Sequence, residues 1–341
     1  MPSAVDRPAG PLAERLHVPD VAELPPPHLG LTWRALTPAD DEAVRALADR
    51  CAPVDRPVRR QLPGQQVAAL ATFGDVVAHS LGGFDGAGEL RAMALVYLTP
   101  GAERVLTAYL SASIDPGWRG RGIGRALLDW QDARARQLLA ADGRDLPVRI
   151  AAYVDEHLAD RRKLYVAAGF SPKRVVQRMS RPVAGPLPEA RPPAGVRIVD
   201  WSSELDEAVR GAHNEVFAVR WGAEPIGPGR WALDRRDLVP SWSKVALTED
   251  GEVAGYALTC RHEETPAAGE GCTEKIGVRG PYRRQGVASA LLCAVVRALA
   301  ADGTEVATLE VDAVEGSGDH RFCERLGYER RGARILYTIE T

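Results

Sequence analysis

Two short glycine-bearing stretches in this chain have the composition to hold a phosphate. The first is Arg119-Gly120-Arg121-Gly122-Ile123-Gly124-Arg125, followed by Ala126-Leu127-Leu128. The second is Arg283-Arg284-Gln285-Gly286-Val287-Ala288-Ser289, followed by Ala290-Leu291-Leu292. Each follows a strand-like run and opens an apolar helical one. The first N–H groups of a helix have no partner inside it and carry the positive end of its dipole. A glycine-rich entry lets a pyrophosphate approach those donors closely. Neither stretch is a P-loop, because no Gly-Lys-Ser/Thr follows, and neither has the Gly-x-Gly-x-x-Gly dinucleotide spacing. The competing reading for either stretch is an ordinary strand-to-helix turn, and its recurrence in matching contexts argues against that.

Other residues could move protons. Glu274 precedes Ile276-Gly277-Val278 on the strand leading into the second loop. Regular alternation puts its side chain on the face of Ile276 and Val278. The matching position in the first half is Leu110, which has no acid–base chemistry. Glu274 could equally form a cross-strand pair with Arg or Lys. Tyr165 stands four residues before Gly169-Phe170, and Cys323 holds the same place before Gly327-Tyr328. Tyr165 could be a packed helix aromatic. Cys323 could donate a proton, since a thiol titrates near pH ~8.5, but a small buried residue is the simpler reading.

The elements that must position these residues occur twice. Arg119 and Arg283 are 164 positions apart, and Asp41-Glu42-Ala43-Val44-Arg45 recurs at Asp206-Glu207-Ala208-Val209-Arg210, 165 positions on. Gly169-Phe170 and Gly327-Tyr328 are 158 apart. A period this long means two whole domains, not a solenoid. The 341 residues are expected to divide into a Pro-rich extension (1–29), a first domain (30–181), a Pro-rich linker (182–194) and a second domain (195–341). First-half strands are expected at Gly30–Leu36, Ser80–Phe84, Leu90–Leu98, Glu103–Ile114 and Val148–Val154, with helices at Pro38–Cys51, Arg121–Ala141 and Asp160–Ala168. Second-half strands are expected at Val196–Val199, Lys244–Leu247, Glu252–Cys260, Cys272–Val278, Ala307–Val311 and Arg334–Ile339, with helices near 204–218, 286–301 and 318–326. The fold class is α/β: a mixed, mostly antiparallel sheet flanked by helices, in tandem.

Composition bounds the function. A net charge of −3 leaves no global basic footprint, so nucleic acid is not an expected partner. No apolar run approaches the ~18 residues of a membrane span, and the start lacks a signal-peptide core. Five cysteines without CxxC spacing read as reduced, in a cytoplasmic protein. No His/Cys/Asp cluster has metal spacing, so no metal is expected.

The spacing Arg-x-x-Gly-x-Gly/Ala after a strand resembles the acyl-CoA pyrophosphate loop of the GNAT superfamily of N-acetyltransferases. The resemblance covers residues 30–341 and is to tandem members of actinobacterial type. It implies acetyl-CoA as acyl donor and a small-molecule primary amine as acceptor, by direct attack on the thioester. It implies that pantetheine pairs with the strand before each loop, Ala112-Ser113-Ile114 and Ile276-Gly277-Val278. It implies acid–base roles for Glu274 and for Tyr165 or its replacement Cys323. The Asn that family members often carry before this Tyr is missing in both halves. His213-Asn214-Glu215 with Trp221 also resembles those proteins and implies the acceptor side of the cleft, although His213 could be a helix-surface residue and Trp221 a core residue. The second half, with its acid, is favoured as the main site. A CoA-binding module without transfer, or another acyl-CoA reaction such as decarboxylation, stays open.

Overall fold

The structure is a computed structural model that describes residues 15–59, 79–98, 101–187, 189–218, 224–261, 269–313 and 319–340. In chain order its elements are β1 (Thr32–Arg34), α1 (Asp41–Asp55), β2 (Ser80–Phe84), β3 (Leu90–Leu98), β4 (Leu106–Ile114), α2 (Ile123–Ala141), β5 (Val148–Asp155), α3 (Ala159–Ala167) and β6 (Ser171–Pro182). They continue as β7 (Val196–Asp200), α4 (Asp206–Phe217), α5 (Pro228–Asp234), β8 (Lys244–Thr248), β9 (Val253–Cys260), β10 (Glu270–Val278), α6 (Val287–Ala301), β11 (Val306–Asp312), α7 (Asp319–Arg325) and β12 (Glu329–Glu340). Apart from β6 and α5, which were not expected, and β12, which starts five residues before the expected Arg334, each matches its expectation to within about four residues.

The chain forms two compact units. One runs through Arg174 and resumes at Arg334; the other is Val175–Ala333. Strand order in the first is β1-β2-β3-β4-β5-β12, and in the second β6-β11-β10-β9-β8-β7. In each, the central pair is parallel, β4 with β5 and β10 with β11. The strand that closes each sheet comes from the other half of the sequence. β6 pairs antiparallel with β11 from Val306↔Pro182 to Asp312↔Val176. β12 pairs antiparallel with β5 from Arg334↔Asp155 to Glu340↔Arg149.

In the second unit β9 is buried along its whole length, because helices cover both faces. One face packs on α6, whose Val287, Leu291, Val295 and Leu299 join Ala257, Leu309 and Cys323. The other packs on α4 and α5, where Val209, Ala212 and Trp231 meet Tyr256 and Leu258. Period-2 burial therefore fails as a guide to this strand, and its buried positions read as a continuous run. In the first unit Val44, Leu47 and Cys51 of α1 pack on Leu90, Met93 and Leu95 of β3.

The entry to α1 shows how local sequence sets an element. Thr37 and Asp40 make a reciprocal capping box around a short 3-10 turn, Pro38–Asp40. Asp40 also takes a fork of two hydrogen bonds from Arg34, at 2.8 and 2.6 Å. Those bonds, the N–H of Thr37 and its hydroxyl hold the Asp40 carboxyl down at about 2.

Candidate active site

The two loops repeat each other bond for bond. Arg119 Nε donates to the Ile114 carbonyl at 2.9 Å, and Arg283 Nε to the Val278 carbonyl at 3.0 Å. Arg121 donates to the Gly117 carbonyl at 3.0 Å, and Gln285 to the Pro281 carbonyl at 2.7 Å. Gly122 (φ 90°) and Gly286 (φ 88°) are the left-handed N-caps of α2 and α6. Without a side chain there, the first turn of each helix stays open to an anion. One partner differs. Asp55 grips the Arg119 guanidinium with two bonds, at 2.7 and 3.0 Å. Among the described residues Arg283 has no such carboxylate.

The strands before the loops also match. β4 and β5 pair from Leu106↔Val148 to Tyr109↔Ala151 and then part, although β4 continues to Ile114 and β5 to Asp155. β10 and β11 pair from Glu270↔Val306 to Thr273↔Leu309 and then part, although β10 continues to Val278. The partings fall at Tyr109 and Thr273, at equivalent positions. Each leaves one edge of a strand without its parallel partner, at 110–114 and 274–278. An extended chain of amide groups can add to such an edge. The strand segments 112–114 and 276–278 expected for pantetheine lie on these open edges, each leading to its loop. This arrangement fits acetyl-CoA, whose pantetheine arm carries two amides and ends in a pyrophosphate.

The units differ at the parting. In β10 the register against β9 slips between Thr273↔Thr259 and Lys275↔Leu258, so Glu274 is an extra residue in a β-bulge. β4 runs against β3 in unbroken register from Ala92↔Ile114 to Leu98↔Ala108, with Leu110 opposite Val96. The bulge corrects the expected orientation of Glu274. Ile276 and Val278 pack on the α6 core. Glu274 instead stands with Lys275 on the opposite face, and its Oε2 lies 3.8 Å from the Cys260 thiol. Burial, and then the Glu274 carboxylate, push that thiol far above its ordinary range, so Cys260 stays protonated as a donor to Glu274.

On the same face Tyr256 lies against Gly277 so closely that a Cβ at 277 would sit 2.6 Å from the Tyr256 hydroxyl. That hydroxyl is 2.7 Å from His213 Nδ1. His213 is buried, not on the helix surface, and stacks on Phe217 at 4.5 Å and near Trp231 at 5.2 Å. Asn214 closes two hydrogen bonds with the Ile226 backbone, fixing the segment that leads into α5. Glu215 pairs with Arg279 at 2.8 Å. Trp221 lies outside the described residues.

Tyr165 and Cys323 occupy equivalent buried places. Tyr165 meets Phe170 edge-on and stacks on Tyr337. Burial pushes its hydroxyl up to about 12. Cys323 is 1% exposed and lies in the α6–α7 core beside Tyr328. Lys275, Tyr256 and Asp234 of α5 belong to no motif that marks them out in the sequence. A signal for the bulge was present in Glu274-Lys275: strict alternation would drive one of two adjacent charges into the α6 core.

Two strand-to-helix loops with glycine-capped helix N-termini, each beside an opened parallel pair, fit an acyl-CoA-dependent acyltransferase fold. The family model described as the acetyltransferase (GNAT) family matches residues 203–328. A mycothiol acetyltransferase of Frankia alni is 32% identical over 83% of this chain and 86% of its own. One of Streptomyces avermitilis is 31% identical over 91% of this chain and 95% of its own. Among solved structures, a GCN5-related N-acetyltransferase from Sphaerobacter thermophilus superposes with a TM-score of 0.73 at 24% identity, covering 95% of this chain and 96% of that one. A tandem GNAT protein from the clavulanic acid biosynthesis pathway gives 0.64 at 20% identity, covering 91% and 98%. The chain belongs to the GNAT acetyltransferase family, in its tandem form. It is an acetyl-CoA-dependent N-acetyltransferase that acts on an amine of a small molecule. Among the described residues no helix is long and apolar enough to cross a membrane.

Proposed function

We propose that the second unit performs the transfer and that Glu274 is its base. The observation that carries this is the bulge at Glu274, present in β10 and absent from β4. It turns a carboxylate onto the α4–α5 face, next to the opened edge of the same strand. Acetyl-CoA supplies the activated acyl group. The backbone of Ile276, Gly277 and Val278 would hold its pantetheine, and the N–H groups of Arg284, Gln285, Gly286, Val287, Ala288 and Ser289, with Arg283 beside them, its pyrophosphate. Glu274 takes the proton that an ammonium must lose before its nitrogen can form the new C–N bond. As the C–N bond forms the thioester C–S bond breaks, the released thiolate takes up the second proton that the acylated nitrogen gives off, and CoA leaves as the free thiol along the opened edge.

The first unit has the same loop, Arg119 to Arg125, and the same open edge at 112–114, but Leu110 and an unbulged strand. The reading gives it acyl-CoA binding without transfer. The sequence halves 30–181 and 195–341 are read as duplicated domains that have exchanged their last strands, with 1–29 as an N-terminal extension and 182–194 as the linker. Because the relatives named above are mycothiol acetyltransferases, the proposed acceptor is mycothiol lacking its acetyl group.

Glu274→Gln tests the reading. It keeps shape and hydrogen bonding but removes basicity. The expected result is a fall in kcat of about 10²–10⁴-fold, partly recovered at high pH where the free amine is abundant. Acetyl-CoA binding stays near wild type, because the pantetheine contacts are backbone contacts. Full kcat across the pH range would make the carboxylate structural.

A further inference from the structure

We propose that Lys275 is a positioning residue for the transfer: through Asp234 it holds α5 against β10 as a wall of the acceptor side, and its ammonium keeps Glu274 ionised. The inference rests on the reading of Glu274 as base.

The bulge that turns Glu274 also turns Lys275. In unbroken register Lys275 would fall opposite Ala257, whose side chain joins the α6 core. In the bulged register it falls opposite Leu258, on the α4–α5 side. There Lys275 Nζ lies 3.0 Å from Asp234 Oδ2, and both side chains are 17% exposed. The ammonium also lies 5.8 Å from the Trp231 ring centroid. Breaking so sheltered a pair leaves its remaining partner poorly solvated, which makes the pair a stiff tether.

α5 needs tethers. It has 7 residues, far too few to be a stable helix alone. Trp231 roots it in the core and donates to Asp206 at 2.9 Å, and Asn214 fixes its approach. The Lys275–Asp234 pair ties it to the strand that carries Glu274. Arg230 steadies Asp234 at 2.6 Å from the same helix.

A cation next to a carboxylate favours the ionised form. Among the described residues the other ionisable groups on this side include Cys260 and Tyr256 from β9, Cys272 from β10, His213 and Asp206 from α4, Asp234 and Arg230 from α5, and Arg235 and Asp237 just beyond it. Glu274 and Lys275 are neighbours in the bulge and share this face with Cys260, whose thiol lies 3.8 Å from the Glu274 carboxylate. A negative charge on the α5 side would oppose ionisation of Glu274, and the adjacent Lys275 on β10 offsets it.

The experiment uses the full chain, with mycothiol lacking its acetyl group as acceptor. kcat/KM is followed against pH in wild type, Lys275→Met, Lys275→Arg, Asp234→Asn and Glu274→Gln. Met keeps the apolar stem over Trp231 and removes the charge. Lys275→Met is expected to move the acidic limb of the profile up by about half to one pH unit. It is also expected to raise the acceptor KM at least fivefold, with the acetyl-CoA KM unchanged, and Lys275→Arg to restore both. Asp234→Asn is expected to raise the acceptor KM without moving the limb upward, because the tether is lost and the cation stays. If the limb vanishes in Glu274→Gln yet keeps its wild-type position in Lys275→Met, the Lys275 proposal fails and the base reading stands. If the limb survives in Glu274→Gln, the base reading fails, and with it the electrostatic role of Lys275. Unchanged acceptor KM in both Lys275→Met and Asp234→Asn overturns the tether.

Discussion

A carboxylate in a strand covered on both faces has to be delivered somewhere it can be solvated or used. For Glu274 the delivery is one extra residue in the register, an insertion that β4 of the first unit does not have. Side-chain alternation read from the sequence puts Glu274 beside Ile276 and Val278. The bulge reverses that and puts it beside Lys275 and Cys260. Pairing register is a property of two strands together, so the order of residues in one strand does not reveal it. Residue types were more legible: the acid, the loop glycines and the Leu110 replacement were all visible. The two helix residues ahead of the Gly-aromatic pairs were visible as alternatives, and both lie buried. Tyr165, fully packed against Phe170 and Tyr337 with its hydroxyl pushed up to about 12, keeps its proton at any working pH. If the second unit does the chemistry, Tyr165→Phe leaves kcat and its pH profile within about twofold of wild type, since it removes only one hydroxyl at a site without a base. A loss of tenfold or more in a folded variant would bring the first unit into the reaction.

At the scale of elements, the loops show how far different letters can make the same object. Arg284 takes the left-handed place that Gly120 has in the first loop, at φ 62°, and Gln285 repeats the carbonyl contact of Arg121. A non-glycine residue there is held at a cost of roughly 1–2 kcal/mol. Its place keeps an arginine beside the N-terminus of α6. The expected helices and strands were found because their apolar periods and stops are local. α5 was not expected, because seven residues carry too little periodicity to be seen, and its position comes from Trp231, Asn214 and Lys275 rather than from its own propensity. The entry to α1 offers a direct test of a cap. The native Asp40 carboxyl sits at about 2, below its unfolded value near ~3.8. Its stabilisation is therefore present in full above pH ~4 and fades as pH falls toward ~2. Arg34 is half exposed, so solvent screens part of it. Asp40→Asn is expected to cost about 1–2 kcal/mol in denaturant melts at neutral pH, with the gap to wild type narrowing below pH 4. A gap independent of pH would show that the cap acts through shape and not through charge.

At the scale of the molecule, duplication was legible as an ordered series of matches, but the exchange of closing strands was not. β6 and β12 are each an unremarkable strand in sequence, and which sheet each joins is decided by the pairing it finds, with β11 in one case and β5 in the other. The duplication makes the molecule its own control. Both units keep the loop, the left-handed glycine cap and the parting of the parallel pair. Only one has the bulge and the carboxylate at that point. Matched substitutions then ask which copy works. Aspartate at either cap glycine sets a side chain and a negative charge against the proposed phosphate site, with the same backbone strain in both. The most direct test is the ratio of kcat/KM for acetyl-CoA between Gly286→Asp and Gly122→Asp. The second-unit account predicts a loss of at least tenfold, about 1.4 kcal/mol, for Gly286→Asp and a change within about twofold for Gly122→Asp. Equal losses in the two variants, or a larger loss in Gly122→Asp, would contradict it.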